Sequence, residues 1–237
     1  MRVYYDFHIH TALSPCGDGD MTPNNIVNMC LLKGLDAIAI TDHNSAENCL
    51  ACMKVGKEKG LLVIPGIELQ TREEVHLLCL FKDINAVLAF QKLVYMNMTE
   101  QKNRPEYFGS QLIFDEMDNI IEESSRLLMS SVNMTINDAI RKAVELEGLV
   151  IPAHVDKKAY SILSNLGFIP DTLSIKTLEI SKQCDIIDLL KKFPDLKGYS
   201  FMQNSDAHYL WQLLEKESYL DIREKTTEAI FEALITH

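Results

Sequence analysis

The sequence is short of tryptophan, of long apolar runs and of positive charge, and each shortage excludes something. No apolar stretch approaches the roughly 18 residues that a membrane-spanning helix needs. Lysine and arginine number 23 against 34 aspartates and glutamates, a formal net charge of -11. That balance argues against a broad duplex-binding surface, which needs a basic face. Bound divalent cations would cancel part of the charge, and a small basic patch would still hold a phosphate. The opening Met1-Arg2-Val3-Tyr4-Tyr5-Asp6-Phe7 lacks the basic-then-apolar layout of a signal peptide. Six cysteines stand in no framework spacing, so the expected setting is the reducing cytoplasm. Cys49 and Cys52 form a C-x-x-C pair, but no second pair follows and the stretch 46–59 reads as helix. They are expected to be small apolar helix residues. The one tryptophan, Trp211, stands beside Tyr209.

What is present is a globular share of apolar residues, 47%, enough for a core without disulfides. Short apolar runs alternate with helix-like segments, the pattern of βα units, and 237 residues suit one α/β barrel. Strands are predicted over 3–9, 36–41, 61–69, 75–81, 148–154, 177–180 and 198–202. Helices are predicted from Thr22-Pro23 to Gly34, over 46–59 with Asn44 or Ser45 as cap, and over 184–192 and 226–235. The segment 84–147 shows no strand. With helices near 84–96, 112–124 and 137–146, it reads as a helical insertion or cap within a single domain, 1–237.

Of the seven histidines, six stand at the end of a predicted strand or just past it: His8, His10, His43, His76, His154 and His208. His237 is outside the pattern. Residues two apart on a strand face the same side, so His8 and His10 are able to grip one ion together. Glu68 closes another buried strand, and Asp206 precedes His208 by two. In α/β barrels the C-terminal strand ends form the catalytic rim, so one pocket would gather these groups. Packing does not explain six histidines so placed, because histidine is rarely a core residue. Imidazole with carboxylate suits zinc, iron or manganese. The ligands are too many for one ion, so two or three divalent ions are expected. Paired ions clamp the attacking and leaving oxygens of an in-line displacement.

These pieces resemble the PHP family, named for its polymerase and histidinol phosphatase members. The matching residues are His8-Ile9-His10-Thr11, Thr41-Asp42-His43-Asn44, Pro65-Gly66-Ile67-Glu68, His76, Pro152-Ala153-His154 and Ser205-Asp206-Ala207-His208. The resemblance implies a distorted (β/α)7 barrel and a trinuclear centre that hydrolyses phosphoesters by attack of a metal-bridging hydroxide. It implies that His8, His10, Glu68 and Asp206 hold the first ion. Glu68 would bridge to a second ion held by His76 and His154, and His43 and His208 would hold a third. Family members usually add a loop ligand to that third ion. Here the loop reads Ser14-Pro15-Cys16-Gly17-Asp18-Gly19-Asp20. Asp18 is the first candidate, with Asp20 and Cys16 behind it. Asp42 is expected to orient His43, and His208 or His43 to protonate the leaving group.

The expected substrate is a phosphomonoester of a small metabolite or nucleotide. An exonuclease trimming short oligonucleotides is the alternative, and a non-catalytic metal-binding regulatory module is a third reading. Arg104, Arg126, Arg141, Lys157 and Lys158 are the cations available for a second phosphate, and Trp211 with Tyr209 is the pair available to stack on a base.

Overall fold

The computed structural model describes residues 1–236; His237 lies outside the described residues. Arg2–Ile9 forms β1, apolar and aromatic at first and fully buried over its last five residues. Thr22 caps α1 (Pro23–Leu32) by accepting from the Asn25 amide, with proline in the first turn where its missing N–H is not needed. β2 (Ala37–Ile40) is buried throughout. Helix α2 (Cys49–Lys59) begins later than expected. Asn44 does not cap it: its backbone is left-handed (φ 51°), and its side chain donates to the Leu128 and Ser130 carbonyls at 2.6 and 2.8 Å. Cys49 and Cys52 are buried free thiols within α2, as expected.

Next come β3 (Leu62–Gln70), β4 (His76–Leu80) and α3 (Ile84–Asn97). β4 runs antiparallel to β3. A side chain at Gly66 would begin 2.8 Å from Leu80 Cδ2 and 2.9 Å from Thr41 Cγ2. Glycine therefore lets the strands close up just before Glu68.

A short helix α4 (Pro105–Phe108) is followed by an antiparallel hairpin, β5 (Leu112–Phe114) and β6 (Ile120–Glu123). The helix expected over 112–124 is therefore wrong, and the segment 84–147 is not purely helical. Turn chemistry decides it: Asp115 Oδ1 accepts from the Met117 and Asn119 amides at 2.8 and 2.9 Å, and Asp118 adopts φ 62°. Helix α5 (Ile136–Glu145) matches the helix expected near 137–146, with Thr135 as its cap.

The chain ends with β7 (Leu149–Pro152), α6 (Ile162–Leu166), β8 (Thr177–Ile180), α7 (Ile186–Lys192), β9 (Ser200–Gln203), β10 (Tyr219–Asp221) and α8 (Thr227–Thr236). The main sheet runs β10-β1-β2-β3-β4-β7, and β8 and β9 form a parallel pair beside it. Isolated backbone contacts bridge both gaps. The Val155 amide donates to the Glu179 carbonyl at 2.8 Å, and the His10 amide to the Ala207 carbonyl at 3.0 Å. The result is a mixed sheet curled into a distorted α/β barrel, with apolar layers on both faces. None of the helices among the described residues is long and apolar enough to cross a membrane.

This arrangement places the site at one rim. β1, β2 and β3 are mutually parallel and end there. His76 departs from the expected pattern because it opens its strand instead of closing it. β4 is antiparallel to both neighbours, so its first residue reaches the rim where theirs end.

Candidate metal centre

Glu68, at the end of β3 and 1% exposed, sits among five imidazoles. Its Oε1 lies 3.2 Å from His8 Nε2, 2.9 Å from His76 Nδ1 and 3.3 Å from His154 Nε2. Its Oε2 lies 3.4 Å from His10 Nε2 and 2.9 Å from His43 Nδ1. Asp206 Oδ1 approaches His8 Nε2 and His10 Nε2 at 3.3 and 3.2 Å. The rings of His10 and His208 stack, centroids 4.1 Å apart. Three sets of ligand atoms lie within 4.8 Å of one another: His8, His10, Glu68 and Asp206; His43, Glu68 and His76; and His10, His43 and His208.

The hydrogen-bond pattern tests whether cations fit here. His8 Nδ1 faces the Glu179 carboxylate at 2.9 Å. Ser14 Oγ gives its proton to Asp42 Oδ1 at 2.7 Å, so toward His10 Nδ1, 2.9 Å away, it is an acceptor. Both rings thus spend their Nδ1 protons outward, and the two Nε2 atoms face each other at 3.1 Å. In neutral imidazoles those are two lone pairs. His43 Nδ1 and Glu68 Oε2 are equally close, yet both are buried without a hydrogen-bond partner, as is His154 Nδ1. Buried acceptors pointed at one another are costly unless a proton or a cation lies between them. Donors of this N/O type suit divalent transition metals.

Without ions, protons take up that role. Burial alone would lower the His10 pKa, but Asp206 and Glu68 outweigh it and carry it up to about 9. His43 is likewise lowered by burial and raised, chiefly by Glu68, to about 9. His8 is held well above its ordinary value by Glu179, Asp206 and Glu68 in spite of burial. Burial would raise Glu68 and Asp206, but the surrounding imidazoles hold both well below the usual carboxylate range. His208 goes the other way: burial and the His10 charge pull it down to about 3.

Two of the candidate residues have unusual backbones, His154 at φ 31° and Asp206 at φ 54°. Such conformations cost on the order of 1–3 kcal/mol and persist where the surroundings impose them. Here they turn both side chains inward at the rim.

The eight principal candidates, His8, His10, His43, Glu68, His76, His154, Asp206 and His208, lie together at one rim, six of them lining the cavity over the cluster and His8 and His10 wholly buried beneath it. Asp18 does not join them. Its Oδ1 accepts from the Asp20 amide at 2.9 Å, and no ligand group among the described residues includes it. Asp42 does not orient His43 as expected. Its carboxylate takes the Thr11 amide, the Thr11 hydroxyl and the Ser14 hydroxyl, and so aligns His10 through Ser14.

Sequence reasoning missed Glu179, at the rim end of β8. It accepts from His8 and, at 2.7 and 2.8 Å, from the His154 amide and Asn204 Nδ2. The signal was available, because a buried carboxylate near the end of a four-residue strand repeats the placement of Glu68. Glu179→Gln keeps the shape and loses the charge that holds the His8 proton outward. It is expected to weaken metal affinity about 10–100-fold, read by titrating the metal-free variant with metal.

Lys157 pairs with Asp206, and its pKa is raised because that carboxylate outweighs burial. Lys157, Lys158 and Tyr160 line a cavity of about 450 Å³ over the cluster, where Tyr160 stacks on His76 with centroids 4.8 Å apart. Beside it lies a cavity of about 530 Å³ that shares His154, Lys157 and Asp206 and reaches Lys182 and Trp211. Trp211 is 74% exposed. The other expected cations are elsewhere: Arg126 stacks over Tyr95, Arg141 pairs with Asp138 and Glu145, and Arg104 is exposed at the start of α4.

A curled α/β barrel with a rim of clustered histidines and carboxylates belongs to a recognisable class, the metal-dependent phosphoester hydrolases. The PHP domain family model matches residues 6–161, and the chain belongs to that family. Among curated relatives, the 5'-3' exoribonuclease Rnm of Escherichia coli is 29% identical over 174 residues, which is 71% of this chain and 57% of Rnm. Among solved structures, the lesion-specific endonuclease EndoQ of Pyrococcus furiosus superimposes with a TM-score of 0.68 at 21% identity, over 99% of this chain and 56% of EndoQ. A Bifidobacterium adolescentis protein assigned as a metal-dependent phosphoesterase superimposes with a TM-score of 0.60 at 17% identity, over 97% of this chain and 95% of its own. The chain thus spans little more than half the length of Rnm and of EndoQ.

Proposed function

We propose that this chain is a metal-dependent phosphodiesterase that trims short single-stranded oligonucleotides. The expected phosphomonoesterase gives way to its stated alternative. The observation that carries this is the second cavity, which adjoins the metal cluster and ends at the exposed Trp211. A small monoester would fill only the cavity over the cluster. A nucleotide chain also needs a cationic path and a face for its bases. Lys157 and Lys182 supply cations, and Trp211 with Tyr209, ring centroids 6.0 Å apart, supplies the face. The likeness to an exoribonuclease supports the same reading.

In this reading His8, His10, Glu68 and Asp206 hold one ion, and Glu68 with His76 and His154 holds a second, His43 standing beside it. His43 and His208 hold a third. Zinc, manganese and iron fit these donors. Bound divalent ions supply Lewis acidity, which makes water acidic near neutral pH and offsets charge on phosphoryl oxygens. The chain's own residues do the rest. Glu179 and Ser14 keep the Nδ1 protons of His8 and His10 directed away from the centre. Lys157, beside Asp206, places a positive charge where a phosphate oxygen would enter.

The test is hydrolysis of short RNA, short DNA, nucleoside monophosphates and a simple aryl phosphate, all under added manganese. Mononucleotides released stepwise from the oligonucleotide, at higher kcat/KM than any monoester, are the expected result. A monoester preferred over every oligonucleotide restores the phosphatase reading, and a metal-loaded protein that hydrolyses none favours the regulatory module. Trp211→Ala should raise KM for short RNA about 5–150-fold, the value of one lost base stack of ~1–3 kcal/mol, and should act on KM and not on kcat.

A further inference from the structure

Tyr160 stands in a backbone conformation that tyrosine rarely adopts, the left-handed region at φ 55°. Glycine takes that region freely and asparagine or aspartate less often, but a bulky side chain there is an outlier. The contacts that impose it run to the metal cluster. The His76 amide donates to the Tyr160 carbonyl at 2.8 Å, and the Tyr160 ring lies on the His76 ring, 14° from parallel. On the other side Ser161 caps α6, and its Oγ also donates to the Lys157 carbonyl at 2.8 Å. Backbone strain held in place beside a cluster of this kind is a sign that the side chain serves the site.

Exposure separates simple packing from contact with a substrate. A ring that only packed on His76 would bury more of itself, yet Tyr160 is 46% exposed while His76 beneath it is buried. His76 covers one face of the ring, so the open face is turned to the cavity that Tyr160 lines with Glu68, His154 and Asp206. Trp211 lines the adjoining cavity, and the two cavities share His154, Lys157 and Asp206. Each cavity thus has one exposed aromatic ring, with Lys157 and Asp206 between them. A phosphate held at the cluster beside Lys157 would have one ring available to the nucleoside on either side.

We propose that Tyr160 is the stacking platform for the base on one side of the scissile phosphate, with Trp211 serving the base on the other. The inference rests on reading the site as one for oligonucleotides. It makes the dinucleotide the shortest substrate that uses the whole site, since a mononucleotide engages one ring only. Stacking uses the π-face of the ring and not its hydroxyl, and every base offers such a face, so the contact tolerates any sequence.

Three RNA dinucleotides test this on the full chain under added manganese: one intact, one lacking its 5' base and one lacking its 3' base. With the wild type, each missing base should raise KM about 5–150-fold. Tyr160→Ala should raise KM for the intact dinucleotide by the same factor. For one of the two base-less compounds it should change KM little, because the stack it removes is already absent. Trp211→Ala should single out the other compound, and Tyr160→Phe should restore the wild-type KM. A role confined to holding His76 predicts a different pattern, in which Tyr160→Ala loses metal and is impaired alike on all three compounds. That pattern overturns the proposal and leaves the oligonucleotide reading standing. So does a Tyr160→Ala protein with wild-type KM for the intact dinucleotide, or a wild type that cleaves longer oligonucleotides but no dinucleotide. A wild type that hydrolyses no oligonucleotide of any length overturns both.

Discussion

Glu68→Ala is expected to abolish phosphoester hydrolysis, a loss beyond the ~10³-fold that marks deletion of a single transition-state donor. Glu68 stands in two of the three sets, and each of its oxygens faces imidazoles of both, so its removal opens two sites together. Asp206→Ala should be nearly as severe, since it removes a donor facing both His8 and His10. Truncating one partner of a buried ion pair usually costs about 3–5 kcal/mol. The histidines have an escape that a buried arginine lacks, because they are able to shed their protons. The variant should therefore remain folded above about pH 6.5, the ordinary histidine pKa. Circular dichroism, metal content and turnover measured on one preparation check this. A Glu68→Ala protein that keeps full metal content and near-full activity would remove the bridging role assigned to it.

Metal uptake should release protons, and apparent affinity should climb steeply with pH. His10 and His43 carry raised pKa values of about 9 in the metal-free centre. At neutral pH both rings are protonated where a ligand lone pair is needed, and a ligand must lose its proton to bind. Each proton displaced makes affinity rise about tenfold per pH unit between roughly 6.5 and 9, and two displaced together give about a hundredfold. The stability of the metal-free fold has the opposite sign. A histidine raised in the folded state contributes stability that is complete below about 6.5 and is lost as pH rises through about 9. His208, lowered to about 3, costs stability as pH falls below about 6.5, where the unfolded chain takes up that proton. The metal-free protein should therefore be most stable near pH 6.5, and metal should protect it most on the alkaline side. Calorimetric titration in buffers of differing ionisation enthalpy gives the proton count, and melting curves across pH give the stability profile. Uptake without proton release would show that the rings are already neutral.

The eight principal site residues were legible because each is chemically conspicuous at its place in a strand pattern. A histidine or carboxylate at the end of a buried apolar run has few structural reasons to be there, and the strand ends of a barrel converge. Most strands of the barrel were legible for the same reason, being short buried runs between helix-like segments, but β10 was not, because its three residues are largely exposed and show no buried run. The hairpin of β5 and β6 was not, because its apolar residues also fit a helical spacing and only the Asp115 and Asp118 turn separates the two. Asp42 was assigned to the wrong histidine because adjacency in sequence says nothing about where a side chain turns. Asp18 stood first among the loop candidates, and only the structure shows its carboxylate turned to the Asp20 amide.

By itself the sequence determined the inventory: an α/β chain with imidazoles and carboxylates at strand ends, in numbers that one ion would not use. Those features follow from residue type and short-range periodicity, which are written locally. Tertiary structure alone decided the grouping. That β4 runs antiparallel and so delivers His76 to the rim, that Glu179 comes from β8 to hold His8, and that Trp211 stands exposed beside the cluster all depend on contacts between residues far apart in the chain. Pairing direction and side-chain orientation are set by packing across the whole barrel, and no local window of sequence contains that information.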